Sequence, residues 1–139
     1  MSSALTLELA IDKIESTYEF MLAYAAQGRD FESAGGDGPP IRGTLSDLKL
    51  ALGTLASAFE SSIAAADTPR REALSAFCRL LAVDAERALA ALNVVLGARN
   101  ITSQLIDNLN ASMHLRTLLT DMFLLDEALS AASQSAPRS

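Results

Sequence analysis

The sequence predicts an all-α protein folded as an antiparallel four-helix bundle. Alanine and leucine dominate the chain, and both residues enter helices at little cost in free energy. Aromatic residues make up only 5% of the chain, so a sheet would lack much of its usual material. Four segments carry apolar residues at alternating spacings of three and four, as in helices with one buried face. We therefore expect one helical domain, 1–133, followed by a flexible tail, 134–139.

The first predicted helix ends near Gln27-Gly28 and has a regular apolar seam. Its members are Ala4, Leu7, Ile11, Ile14, Tyr18, Met21 and Ala25. The Gly/Pro-rich segment Arg29–Gly43 follows, and this composition predicts a flexible connector. About 15 residues are enough to cross the whole bundle, so an up-down-up-down topology is preferred over a crossing connection without excluding it.

The second and third predicted helices are joined by a short turn and are therefore expected to be antiparallel neighbours. Thr44 and Asp47 resemble a capping box that starts the second helix, whose seam runs from Leu45 to Ile63. Thr68 is the expected N-cap of the third helix, with Pro69 at its first position. Its predicted seam comprises Leu74, Cys78, Leu81, Ala85, Leu89, Leu92 and Leu96, and Gly97 is the expected stop.

The fourth predicted helix, from Asn100 to about Ala132, is apolar on two sides. Leu105, Ile106, Leu109 and Met113 cluster on one side, whereas the leucines after residue 114 lie on another. A helix that is apolar over so wide an arc is either kinked or buried on more than one face. The sequence favours burial against a second copy, and it predicts a homodimer. The predicted interface residues are Leu115, Leu119, Met122 and Leu129.

His114 is the single histidine of the chain, and its helical position predicts a solvent-facing side chain. It shares a polar stripe with Asp107, Asn110, Thr117 and Asp121. The run Leu115-Arg116-Thr117 resembles part of the H-box of sensor histidine kinases, but Met113 stands where the phosphorylated histidine would be. His114 and Arg116 are therefore kept as chemical candidates, without a family assignment. A solvated surface histidine is the favoured interpretation over a phosphoacceptor or a ligand contact.

An acidic stripe on the first helix is the predicted docking site for a partner. Glu8, Asp12, Glu15 and Glu19 lie beside the apolar seam, although like charges four residues apart repel one another. The alternatives are solvation, pairing with Arg79, Arg87 or Arg116, and metal binding. A bundle di-metal site would use histidines from two helices, so no metal or other cofactor is predicted.

Composition excludes several function classes. The net charge is −6 and the pI is about 4.6, and no basic cluster is present to bind nucleic acid or an anionic membrane. No apolar run reaches the ~18 residues of a spanning helix. The single Cys78 and the lack of a cationic start to the chain fit a cytoplasmic protein.

These observations predict a non-catalytic interaction protein, which would act as a dimerising adaptor, accessory subunit or small regulator. The alternatives are a bundle that binds a small ligand between its helices and a histidine phosphotransfer-like protein using His114. Met21, Met113 and Met122 could line such a ligand cavity, although Met and Ala at helical spacing are more often plain core. Nothing in the sequence places a base or an electrophile beside His114.

Overall fold

The structure is a computed structural model that describes residues 3–32 and 40–134. Within these ranges every regular element is an α-helix, so the all-α prediction is confirmed. The described residues form five helices rather than four. They are α1 (Ser3–Ala26), α2 (Ile41–Ala65), α3 (Arg71–Leu96), α4 (Ser103–Ala111) and α5 (Met113–Gln134). The centre of the predicted connector, 33–39, and the tail residues 135–139 lie outside the described residues.

α1 buries most of the described part of its predicted seam, with Tyr18 and Ala25 half-buried, and it ends where the sequence indicates. Ile14 and Met21 are fully buried. After the last turn, the Gln27 N–H donates to the Tyr24 carbonyl at 3.1 Å, and Gly28 adopts a φ of 63°. This left-handed conformation costs a residue with a Cβ about 1–2 kcal/mol, whereas glycine adopts it freely. Gly28 therefore ends the helix.

α2 begins earlier than predicted. It starts at Ile41, after an extended Pro40 that has no side-chain cap, so the connector does not extend to Gly43. Thr44 lies inside the first turn, where its hydroxyl donates to the Pro40 carbonyl. Asp47 forms an ion pair with Lys13 on α1 instead of completing a capping box. The early start buries the Ile41 side chain, which offsets the missing cap.

The turn between α2 and α3 is short, as expected, but α3 begins two residues after Pro69. Thr68 Oγ1 accepts from the Arg70 N–H at 3.1 Å, so it caps the turn that precedes the helix. The Arg71 guanidinium donates to the carbonyls of Ile63 and Ala66. A cation at the carboxyl end of a helix satisfies carbonyls that have no partner within that helix. The predicted stop of α3 at Gly97 is confirmed.

The single fourth helix predicted from Asn100 is wrong, because Ser112 divides it into α4 and α5. Thr102, rather than Asn100, caps α4, and its hydroxyl oxygen accepts from the Leu105 N–H at 3.0 Å. Ser112 has an extended ψ of 127°, which interrupts the helical ladder. Its N–H donates to Leu109, and its carbonyl accepts from Arg116, so both backbone groups of the break are satisfied.

The break lets the two helices pack on different neighbours. α4 packs mainly against α1, whereas α5 packs against α3. α1 also packs on α2, and α2 packs on α3, so the helix contacts form a closed ring around one apolar core. Asn110, predicted on a solvent-facing stripe, is buried in this arrangement and donates to the Met21 carbonyl at 3.1 Å.

Candidate interaction surface

The predicted interface of the last helix is not available for a partner. Leu115, Leu119, Met122 and Leu129 are all buried within the single chain, with at most 8% of each side chain exposed. The two apolar sides noted in the sequence are real, and the break at Ser112 turns both towards the core except at Met113, which is 70% exposed. The interface prediction at these four residues is therefore wrong.

The predicted chemical candidates are on the outer surface of α5. His114 is exposed, and within the described residues it forms no hydrogen bond or ion pair. Arg116 is also exposed and borders a surface depression of about 330 Å³. No described residue is placed as a base or nucleophile partner for His114. The residues that line the depression are Met113, Arg116, Thr117, Thr120 and Asp121.

The acidic stripe of α1 lies near another carboxylate. Glu8, Asp12 and Glu19 are exposed, and Glu15 is half-buried. The pKa of Asp126 on α5 is raised by burial and by the charges of Glu127, Asp12 and Glu8. The ion pairs among the described residues are Lys13–Asp47, Arg42–Glu32 and Arg87–Asp84. The stripe therefore has no intramolecular pairing with the arginines proposed for it.

A carboxyl pair joins α3 to α5. Burial raises the pKa of Asp121 to about 7, and the hydrogen bond and the negative charge of Asp84 act in the same direction. Arg87 Nη1 donates to Asp84 Oδ1 at 3.3 Å. The sequence placed Asp121 on a stripe with His114 but gave no sign of Asp84 opposite it.

Arg42 ties the two connections at one end of the molecule together. Its Nε and one Nη form a fork with the two carboxylate oxygens of Glu32, both at 2.9 Å. The guanidinium also donates to the carbonyls of Leu96 and Ala98, beside the end of α3. The Arg42 hydrogen bonds hold the pKa of the Glu32 carboxyl below its usual value. These contacts explain a structural role for Arg42.

Ser103 and Tyr24 strengthen the same end. Ser103 Oγ accepts from the Arg29 N–H and donates to the Tyr24 carbonyl, both at 2.7 Å. The Tyr24 hydroxyl donates to the Ile101 carbonyl at 2.5 Å. Asn100 bridges the backbone of residues 30 and 32. The first residues of the predicted connector are therefore fixed by hydrogen bonds.

Large apolar side chains remain exposed on several helices, including Met113, Phe123 and Leu124 on α5, and those of α3 form one row. Leu80 is 59% exposed, Val83 44% and Val94 74%, although all three belong to a regular helix. They are part of an exposed row with alternating spacings of three and four, distinct from the buried row predicted for this helix. We call this row the α3 seam. Its residues are Ala73, Ala76, Leu80, Val83, Arg87, Ala90 and Val94.

The edge of the α3 seam that is remote from the Asp84 side carries alternating charges. Glu72, Arg79 and Glu86 lie seven residues apart, so they share one face of the helix. Arg79 and Glu86 are exposed, and neither forms an ion pair within the described residues. Sequence reasoning recognised only the buried row of α3. The second row was visible in the same spacing, but only packing distinguishes the face that is covered from the one that is not.

A second exposed apolar area lies between α1 and α2. Leu9 and Leu50 border a groove of about 360 Å³, and Lys13 and Asp47 pair across one end of it. The outer face of α2 beside this groove is formed largely by Gly, Ser and Thr.

Comparisons with protein-family models, curated proteins and solved structures find no match to this chain. Within residues 3–32 and 40–134, no group of three or more His, Cys, Asp or Glu side chains is arranged to hold a metal ion. No helix in the same part of the chain is long and apolar enough to cross a membrane. Cys78 is buried, and burial raises the pKa of its thiol to about 11.

Proposed function

We propose that this chain is a non-catalytic interaction protein whose contact surface is the α3 seam. The scaffold in this proposal is an antiparallel four-helix bundle, in which α4 and α5 together form a broken fourth helix. The contacts between α2 and α3 support the antiparallel arrangement, because moving forward along α2 means moving backward along α3. Arg42 near the start of α2 contacts Leu96 at the end of α3, whereas Cys78 near the start of α3 donates to Ala56 farther along α2.

The observation that carries the proposal is the apolar character of an exposed face. Six of the seven residues of the α3 seam are alanine, leucine or valine, although their side chains lie in water. Burying a leucine or valine side chain contributes up to about 1.5–3 kcal/mol, and this contribution is not obtained while the seam is exposed. Contiguous apolar surface on a helix is typical of a binding site.

The spacing of the seam indicates the kind of partner. Alternating intervals of three and four are those of helices that interlock side chains along their length. The fitting partner is therefore an amphipathic helix. The homodimer expected from the sequence remains part of the proposal, with its interface moved from α5 to α3. Adaptor, accessory-subunit and regulator roles all use such a surface. The acidic composition and the Cys78 thiol fit a cytoplasmic setting.

Site-specific photo-crosslinking tests the proposed surface. A benzoylphenylalanine is introduced at position 83 in the α3 seam or at position 50 on α2, and each protein is irradiated both pure and in native extract. Both positions hold an exposed apolar residue, so position 50 is the matched control. We expect a discrete crosslinked product from position 83 only, joined either to a second copy of this chain or to another protein. Absence of any product from position 83, or equal products from both positions, would contradict the proposal.

A further inference from the structure

We infer that the α3 seam binds the α3 seam of a second copy in an antiparallel two-fold pairing, with Arg79 of each copy facing Glu86 of the other. This inference rests on the proposed function of the seam as a helix-binding surface. It adds the identity of the partner, the direction of the pairing and its register. Each of these three points follows from the residues of the seam and of its charged edge.

Antiparallel pairing gives matched layers along the seam. When Leu80 of one copy faces Val83 of the partner subunit, the two-fold axis places the same contact on both sides of the centre. The flanking layers then join Ala76 with Arg87 of the partner subunit. The outer layers join Ala73 with Ala90 of the partner subunit. The largest apolar side chains meet at the centre, and small alanines allow the helix backbones to approach closely on either side.

The charged edge selects this register over its neighbours. In it, Arg79 faces Glu86 of the partner subunit, and two-fold symmetry makes this attractive pair twice. Sliding the helices by one heptad in one direction places Glu86 opposite Glu86 of the partner subunit. Sliding them in the other direction places Arg79 opposite Arg79 of the partner subunit, and Glu72 opposite Glu86 of the partner subunit. Charges beside a helix seam set the orientation and the register of the pairing, and only the central register combines attraction with a matched apolar core.

Arg87 decides between parallel and antiparallel pairing. In a parallel pair each seam residue faces its own copy, so two Arg87 guanidinium groups would meet within the apolar layer. In the antiparallel pair Arg87 faces an alanine, which leaves room for its alkyl stem. Its guanidinium already bonds to Asp84 at 3.3 Å at the edge of the seam. A long cationic side chain of this kind covers apolar surface while its charged group stays in water.

Charge reversal tests the pairing and its register together. The mass is measured by light scattering and the dimer dissociation constant by sedimentation equilibrium, for wild type, Arg79→Glu, Glu86→Arg and the double variant. We expect a wild-type mass of twice 14.7 kDa. Each single reversal turns two attractive pairs into two repulsive ones and is expected to weaken the dimer about tenfold. The double variant restores attraction and should return to within about threefold of wild type.

A covalent trap and a matched control complete the test. In the variant Leu80→Cys/Val83→Cys, mild oxidation should link the two copies, whereas Leu50→Cys on α2 should remain monomeric under denaturing conditions. Val83→Glu should abolish the dimer, and Leu50→Glu should leave it intact. Circular dichroism establishes that each variant is folded. A monomeric wild type at about 100 μM, or a dimer indifferent to both single reversals, overturns the inference. Photo-crosslinking from position 83 to another protein, with no product between two copies, would overturn the self-pairing but uphold the proposed function. The lack of any product from position 83 would refute both.

Discussion

Replacing Asp121 by asparagine is expected to stabilise the protein above pH 7 and to have little effect near pH 4. Burial raises the pKa of Asp121 to about 7, from 3.8 in the unfolded chain. Between these two values the native state holds a proton that the unfolded state has lost, so the free energy of unfolding falls as pH rises. The stability contributed by this proton is fully present below pH 3.8 and is lost as the pH rises through 7.

The size of the effect follows from the same two values. A pKa of about 7 in place of 3.8 corresponds to about 4 kcal/mol between the two protonation states. Asp121 is partly exposed, and screening by water lowers this figure to about 1–2 kcal/mol. Asparagine keeps the shape of the side chain and supplies an N–H donor towards Asp84. The variant therefore removes the repulsion between the two carboxylates without leaving a cavity.

Urea unfolding followed by circular dichroism at pH 4.5, 6, 7 and 8 measures this effect. The control is Asp107→Asn on α4, which removes the same charge from an exposed position. We expect the difference in the free energy of unfolding between Asp121→Asn and wild type to grow from pH 4.5 to pH 8, and the control to show a flat response. An equal gain at every pH, or no gain at pH 8, would refute the raised pKa of Asp121 in the folded protein.

Three further substitutions test the local contacts that shape the fold, each by its free energy of unfolding in urea. Ser103→Ala should cost about 1–3 kcal/mol because it leaves a buried N–H without an acceptor, whereas Ser57→Ala at an exposed position should change stability by less than about 0.5 kcal/mol. Arg42→Ala should cost about 1–2 kcal/mol through loss of the fork and of two backbone contacts, and no loss would show that the network is solvated and weak. Gly28→Ala should cost about 1–2 kcal/mol because its φ is 63°. The same change at Gly53, inside α2 with no atom within 4 Å of the added Cβ, should stabilise by up to about 1 kcal/mol, and equal signs at the two glycines would contradict the conformational argument.

Local signals in the sequence predicted much of the fold. The repeated spacing of three and four located the helices, because a helix buried on one face requires apolar residues at that period. Gly28 and Gly97 marked helix ends, but only Gly28 does so through a left-handed backbone, because Gly97 has an ordinary φ of −77°. The errors at helix starts have another cause. α2 begins at Ile41 because that side chain is buried, and α4 begins after Thr102 because Thr102 is its cap. The local residue pattern favoured Thr44 and Asn100 as the starting residues instead.

The break at Ser112 depended on contacts that the sequence does not display. Asn110 and Ser112 are weak helix formers, but this tendency alone does not end a helix. The Asn110 amide bonds to the carbonyl of Met21, which is 89 residues away in the chain. The carboxyl pair of Asp84 and Asp121 is likewise formed by residues far apart in sequence. Side chains of this kind are recognised only when the helices are assembled.

The break also explains how the predicted interface leucines of the last helix are buried within one chain, whereas α3 leaves its second apolar row exposed. α4 and α5 have separate axes, so each turns its own apolar side to the core. α3 has no such option: it is continuous over 26 residues, and no glycine or proline interrupts it between Pro69 and Gly97. Its two apolar rows are therefore fixed on one rigid helix. When the first row faces the core, the α3 seam faces outwards, and this is the surface that we propose a second copy covers.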